Sequence, residues 1–331
     1  MDDAVDWSGN NRIDIAAQRG IQLIDFAPFL TNDTAGKQEV AAAIYRACHT
    51  VGFLYLINHG ISQTTINQAF EQSRQFFNLP LIAKQRVAWA SELSNRGYIG
   101  LERERLDETQ PGDLKEAFNL GKEIGIDADA MTSAIALIRW PERPLGFRSI
   151  LTAFFNRCAD TATAIFRAFA IALSMPEDFI AAQHATHDYT LRLLRYPPLT
   201  DRPKPGQSRA GAHSDYGSLT LLFQDNVGGL EVLTADGRWM AAPSIPGAIL
   251  VNTGDLMERW SNDVFRSTQH RVALPERAEK MRDRYSIAFF CQPDAEAEIV
   301  CLPTCQSQDN PPKYPPVQSG AYLLSRLQAT Y

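Results

Sequence analysis

His213-Ser214-Asp215 sets an imidazole and a carboxylate two positions apart. In extended backbone, residues i and i+2 share a face, so both side chains can converge on one point. A third ligand from another strand would complete the set, and His270, in the segment Gln269–Leu274, is the candidate. Two imidazoles and one carboxylate leave three positions of an octahedral ion open, the arrangement through which non-haem Fe(II) handles oxygen. Such donors suit Fe(II) better than calcium, and no cysteine is placed for a thiolate site. The same pattern also arises by chance among surface or core residues, so it needs context.

Arg284-Tyr285-Ser286 is a second i, i+2 pair, on a strand that continues as Ile287-Ala288-Phe289-Phe290. An arginine pointing inward from such a strand is costly to bury unless an anion meets it. Its guanidinium can grip a carboxylate bidentately, and the Ser286 hydroxyl adds a donor. The alternative partner for Arg284 is a structural Asp or Glu on a neighbouring strand.

These residues need elements to hold them. Short strands are expected at Leu191–Tyr196, Ser218–Gln224, Gly229–Thr234, Trp239–Ala241, Ala248–Asn252, Gln269–Leu274, Tyr285–Cys291 and Glu298–Cys301. Turn signals such as Gly228-Gly229, Asp236-Gly237 and Pro246-Gly247 divide them, a texture that suggests a sandwich or barrel. The first half reads as mainly helical. Strands at Ile21–Phe26 and Phe53–Ile57 accompany helices at Gly36–Thr50, Gln63–Phe77, Leu81–Trp89 and Phe147–Leu173, and a closing helix spans Ser319–Leu327. Pro111–Trp140 reads as charged and irregular. The expected division is an irregular segment 1–20, a mainly helical region 21–187 and a β-rich region 188–331, packed as one compact unit.

The chain has 331 residues, 45% hydrophobic and 21% charged, long enough to bury a large core without disulfides. Its 32 Lys+Arg against 38 Asp+Glu leave a formal charge of −6 with no concentrated basic patch, which argues against nucleic acid as a partner. Cys48, Cys158, Cys291, Cys301 and Cys305 are scattered and odd in number, as expected of reduced thiols in a cytoplasmic protein. Cys301 and Cys305 lack the second pair that a zinc site would need. The apolar stretch Thr161–Met175 contains Arg167 and suits a buried helix better than a membrane span. A soluble monomer is the expectation.

His213-x-Asp215, His270 and Arg284-x-Ser286 together resemble the signature of Fe(II)- and 2-oxoglutarate-dependent dioxygenases of the isopenicillin N synthase-like family. The similarity extends to Ile24-Asp25-Phe26, Gly52-Phe53, Ile57-Asn58-His59-Gly60, Phe76-Phe77-Asn78-Leu79-Pro80, Arg96-Gly97-Tyr98 and Asp113-Leu114-Lys115-Glu116. It continues through Leu193–Pro198, Gly228-Gly229-Leu230, Asn252-Thr253-Gly254-Asp255 and the tail from Tyr314, so that roughly residues 20 to 330 are covered.

The resemblance implies a mixed α and β fold, with a double-stranded β-helix (jelly-roll) core flanked by helices. His213, Asp215 and His270 would bind Fe(II). The cosubstrate 2-oxoglutarate would chelate the ion, its far carboxylate reaching Arg284, Ser286 and the Tyr196 hydroxyl. With O2 it would be decarboxylated to succinate and CO2, and a small-molecule substrate would be hydroxylated, desaturated or cyclised. Ascorbate is a possible reductant. Many plant relatives carry Asn-x-Tyr where this chain has Leu194 and Tyr196, so Leu194 cannot hydrogen-bond the cosubstrate. Relatives that keep the clamp without consuming 2-oxoglutarate leave an Fe(II) oxidase as the alternative. A non-catalytic sensor would be expected to lose a metal ligand, and none is lost. Tyr98, Lys115 and Phe118 fall where the family borders its substrate, and strand alternation puts one of Phe289 and Phe290 on the pocket face. His59 is expected to support a loop, and His49, His184 and His187 to lie at the surface or at helix ends.

Overall fold

Strand β1 (Gln22–Asp25) lies parallel to β2 (Phe53–Ile57), and β2 joins the C-terminal half of the chain through β10 (Ala248–Thr253). The computed structural model describes residues 20–31, 33–89, 95–107, 109–122, 138–199, 202–275 and 282–330. The remaining strands of the larger sheet are β3 (Gly97–Ile99), β4 (Glu116–Gly121), β5 (Thr190–Tyr196), β7 (Leu219–Gln224) and β12 (Arg284–Cys291). Its order is β1-β2-β10-β7-β12-β5-β4-β3. A four-stranded sheet faces it, ordered β6-β11-β8-β9 and built from β6 (Ala210–His213), β8 (Leu230–Leu233), β9 (Trp239–Ala241) and β11 (His270–Val272). A short hairpin of β13 (Glu298–Ile299) and β14 (Val317–Gln318) completes the strands described.

The helices cover the outer face of the larger sheet. Helix α1 (Thr34–Thr50) starts where the Asp33 carboxylate accepts the amides of Ala35 and Gly36, which satisfies two of the free N–H groups at a helix start. Its buried stripe is Val40, Ala41, Ile44, Ala47 and Cys48. Ser62 caps α2 (Gln63–Phe77) in the same way, through the amide of Thr65. Helix α3 (Phe147–Ala172) runs through the core. Phe154 packs edge-on to Phe223 of β7, and Phe155 edge-on to Phe289 of β12. Two further helices, α4 (Asp255–Trp260) and α5 (Ser319–Thr330), follow β10 and close the chain. None of the described helices is long and apolar enough to cross a membrane.

Several sequence expectations change. Strand β4 lies inside the stretch expected to be irregular, because Glu116 at its start and the charged residues just before it obscure the pattern. Glu116 is buried, but it accepts hydrogen bonds from Lys84, Tyr98 and Arg195 on the outer face. The helix expected over Leu81–Trp89 stops at Gln85, and the following residues bridge to β3 through Tyr98 N to Val87 O and Trp89 N to Tyr98 O. β6 reads Ala-Gly-Ala-His, which carries little strand propensity; pairing with β11 makes it a strand. His184 lies at a helix end, just past Phe179–Ala182, but it is buried there, 1% exposed, between the Ile180 carbonyl and the Ser218 hydroxyl.

Candidate active site

Both sheets contribute their inner faces to one cavity of about 190 Å³. At its floor, β6 and β11 pair so that His213 stands opposite His270. The two imidazole rings lie 4.3 Å apart between centroids. Asp215 follows β6 in a loop held from below by the start of α4, where Asp255 N donates to Asp215 O and Leu256 N to Gly217 O. Only glycine fits at 254, since a Cβ there would stand 2.4 Å from Gly217 O and 2.7 Å from Asp215 O.

Asp215 Oδ1 lies 3.9 Å from His213 Nε2 and 3.6 Å from His270 Nε2. These separations are too long for hydrogen bonds. They suit three donors arranged round a common centre, and one ligand atom from each residue lies within 4.8 Å of the others. The other atoms of the three side chains are engaged elsewhere. His213 Nδ1 sits 2.8 Å from Gly211 O, and His270 Nδ1 3.2 Å from Thr268 O. Each carbonyl takes the Nδ1 proton and leaves the Nε2 lone pair facing inward, the tautomer a metal requires. Asp215 Oδ2 accepts from Thr220 Oγ1 at 2.6 Å and Asn252 Nδ2 at 2.7 Å, which leaves Oδ1 for the centre.

Electrostatics point the same way. Burial, and then the neighbouring His270, push His213 down to about 3, so its imidazole is neutral at physiological pH. Burial opposes ionisation of Asp215, but His270, His213 and the donors Asn252 and Thr220 outweigh it and hold the carboxyl below its ordinary value. A neutral His213 imidazole and an ionised Asp215 carboxylate are states in which these side chains can ligate a divalent ion. The donor set and its supports therefore fit Fe(II).

Arg284 opens β12 and lies deeper in the cavity, 1% exposed. Nε donates to Gly228 O at 2.7 Å, Nη2 to Gln224 Oε1 at 2.9 Å and Nη1 to Ser286 Oγ at 3.3 Å. Strand register sets Arg284 opposite Tyr196, with the guanidinium 4.8 Å from that ring's centroid. Among the described residues no carboxylate lies within ion-pair distance of Arg284, so a structural Asp or Glu does not take the role. A buried cation without a counter-ion, opening on a cavity, is a receptor for an anion. Leu194, opposite Ser286, offers the same wall an apolar side chain.

The expected substrate contacts divide. Phe290, Lys115 and Leu194 line the cavity. Phe289 does not: alternation turns it outward into the core, against Phe155 and Tyr189. Phe118 likewise packs among Phe76, Trp140 and Phe147 on the outer face. Tyr98 borders a separate cleft and gives its hydroxyl to Glu116. Sequence reasoning assigned no role to Thr220, Gln224, Asn252 or Arg192; Thr220, Asn252 and Arg192 line the cavity, and Gln224 holds Arg284 at its edge. Alternation along Ser218–Gln224 and Leu191–Tyr196 is the signal that could have placed three of them. His59 supports its loop, accepting Ile61 N at Nδ1.

Residues 21–143 match the non-haem dioxygenase in morphine synthesis N-terminal family, and residues 187–293 the 2OG-Fe(II) oxygenase superfamily. The 2-oxoglutarate-Fe(II) type oxidoreductase ppzD of Metarhizium majus is 32% identical over 95% of this chain and 96% of its own. The proline hydroxylase buaE of Petromyces alliaceus is 33% identical over 94% and 99%. Among solved structures, a full-length Neurospora crassa protein in complex with alpha-KG superposes with a TM-score of 0.85 at 37% identity, covering 94% of this chain and 96% of that one. The same protein in complex with alpha-KG and thymine gives 0.84 at 37%, covering 94% and 98%.

Proposed function

Since this chain belongs to the 2OG-Fe(II) oxygenase superfamily, we propose that His213, Asp215 and His270 hold the Fe(II). Arg284, Ser286 and Tyr196 hold the distal carboxylate of 2-oxoglutarate in this reading. The protein is an Fe(II)- and 2-oxoglutarate-dependent oxygenase, a jelly-roll oxidoreductase that uses O2 and releases succinate. The oxidase alternative is not favoured. Regions 21–187 and 188–331 act as one unit here, because strands of both build the cavity wall.

The bound ion, with O2 and 2-oxoglutarate, supplies the oxidant. The chain's own residues do the rest. Arg284 orients the keto acid from the far end, and Asn252 and Thr220 hold the Asp215 carboxylate. Phe53, Leu222, Ala288 and Phe290 keep the cavity apolar and dry around the reacting atoms.

The substrate is a small, flat heterocycle. What supports this is a cavity lined by the aromatic rings of Phe290 and Tyr216 and by the polar Arg192 and Asn119, together with the likeness to a protein solved with thymine and with 5-formyluracil. The observation that carries the whole reading is the buried, carboxylate-free Arg284 facing the His213–Asp215–His270 cluster. Anaerobic addition of 2-oxoglutarate to the Fe(II) protein should raise a weak visible charge-transfer band. With oxygen admitted, thymine and related bases should then accelerate succinate release. Bound Fe(II) without a band would refute the clamp, and a panel of bases with no effect on succinate would refute the substrate class.

A further inference from the structure

The clamp stands at the corner where β5 ends and β12 begins. Tyr196 and Arg284 are the end pair of that ladder, and β7 joins β12 only from Ser286 onward. Pro197 and Pro198 follow Tyr196, and proline has no N–H with which to continue the pairing. The corner is closed instead by a side chain from the approach to β6, in the facing sheet. Arg209, immediately before β6, is 2% exposed, and its Nη2 donates to Pro197 O at 3.4 Å and to Arg282 O at 3.1 Å. One guanidinium thus joins the residue after Tyr196 to the residue two before Arg284.

Two carbonyl oxygens alone do not call for an arginine. A neutral donor would satisfy them, whereas burying a cation without an ion pair is costly. Among the described residues no carboxylate lies within ion-pair distance of Arg209, and its buried Nε has no hydrogen-bond partner. The carboxylates that act on it from further off, Asp225 and Asp283, are engaged elsewhere. Asp225 accepts the amides of Val227 and Tyr285, and Asp283 pairs with Arg195. Burial, and then the like charge of Arg284, hold the Arg209 guanidinium below its ordinary value. Two cations that repel each other across a buried corner are both favoured when an anion sits between or beside them. The distal carboxylate that Arg284 is placed to take is such an anion.

We infer that Arg209 is a positioning residue for the cosubstrate, which fixes Tyr196 and Arg284 at one corner and adds a second positive charge beside the clamp, so that the site favours a keto acid with a distal carboxylate over one without. The inference rests on the reading of this cavity as a 2-oxoglutarate site. The test uses the full chain with Fe(II), without oxygen, and follows the visible band on titration with two keto acids. One is 2-oxoglutarate; the other, 2-oxopentanoate, keeps the chelating head and lacks the distal carboxylate. Arg209→Gln keeps a donor for the carbonyls and removes the charge. It should raise the half-saturating concentration of 2-oxoglutarate at least tenfold and that of 2-oxopentanoate less than threefold. Arg209→Lys, which restores the charge, should return 2-oxoglutarate to within threefold of wild type. A smaller rise for 2-oxoglutarate in Arg209→Gln overturns the inference, and so does equal weakening of both keto acids or a lysine that does not rescue. Should 2-oxopentanoate give no band with wild type, Fe(II) affinity takes its place as the control, under the same threefold limit. If Arg209→Gln does not fold, Arg209→Met is held to the same criterion; if neither folds, the residue is structural and the inference is overturned. Absence of the 2-oxoglutarate band in wild type overturns the functional reading and this inference together, whereas a wild-type band that Arg209→Gln leaves unmoved overturns the inference alone.

Discussion

Replacing Arg284 by alanine tests the clamp at the point where the geometry is most explicit. A guanidinium carries five N–H donors. Three are spent within the protein, on Gly228 O, Gln224 Oε1 and Ser286 Oγ. Two remain, one on each terminal nitrogen, which is the fork a carboxylate accepts. Hydrogen bonds to charged groups contribute about 1.5–3 kcal/mol each, so losing both costs about 3–6 kcal/mol of binding. At about 1.4 kcal/mol per tenfold, the dissociation constant for 2-oxoglutarate should rise roughly 10²- to 10⁴-fold. Arg284→Lys keeps the charge but not the fork, and should lie between, at roughly 10- to 100-fold. Anaerobic titration of the Fe(II) protein with the keto acid, followed in the visible band, measures all three constants. Metal content and melting temperature would be checked in parallel, since alanine also strips Gln224 and the Gly228 carbonyl of a donor. An alanine variant that binds 2-oxoglutarate within fivefold of wild type would refute the assignment of Arg284 as its anchor.

Thr220→Val removes one of the two donors to Asp215 Oδ2 and leaves Asn252, so Fe(II) affinity should fall about 10- to 100-fold in a metal titration. Phe289→Ala should cost about 3–5 kcal/mol in denaturant unfolding, as a core ring does. Phe290→Ala should cost less than half of that and raise KM for substrate instead; reversed effects would contradict the facing of β12. His184 is held neutral, its pKa pushed down to about 4 chiefly by burial. The unfolded chain, with an ordinary value of about 6.5, binds the proton more tightly. The stability His184 contributes is thus complete above about pH 6.5 and is lost as pH falls towards 4, by about 3 kcal/mol in all. Unfolding curves between pH 7 and 4 should show this slope, and His184→Gln should flatten it.

Much of the site is legible along the chain because it depends on short separations. The i, i+2 spacing of His213 with Asp215 and of Arg284 with Ser286 is enough to put each pair on one face of a strand, whatever the strand packs against. The helical stripes of α1, α2 and α3 and the short strands between turn signals are local patterns too, and the jelly-roll class follows from them with the family resemblance. What the chain alone left open depended on contacts between distant segments. His270 reaches the other two ligands only because β11 pairs with β6 in that register, and Tyr196 meets Arg284 only because β5 pairs with β12. The choice of Phe290 over Phe289, and the removal of Phe118 and Tyr98 from the pocket, were set by which sheet face the helices cover. The charges at the start of β4 concealed a strand, since neither Glu116 nor the preceding Lys115 reads as interior until partners such as Lys84 and Glu104 arrive from other segments of the chain. Burying a charge is permitted only by the partner that neutralises it, and tertiary structure alone supplies that partner.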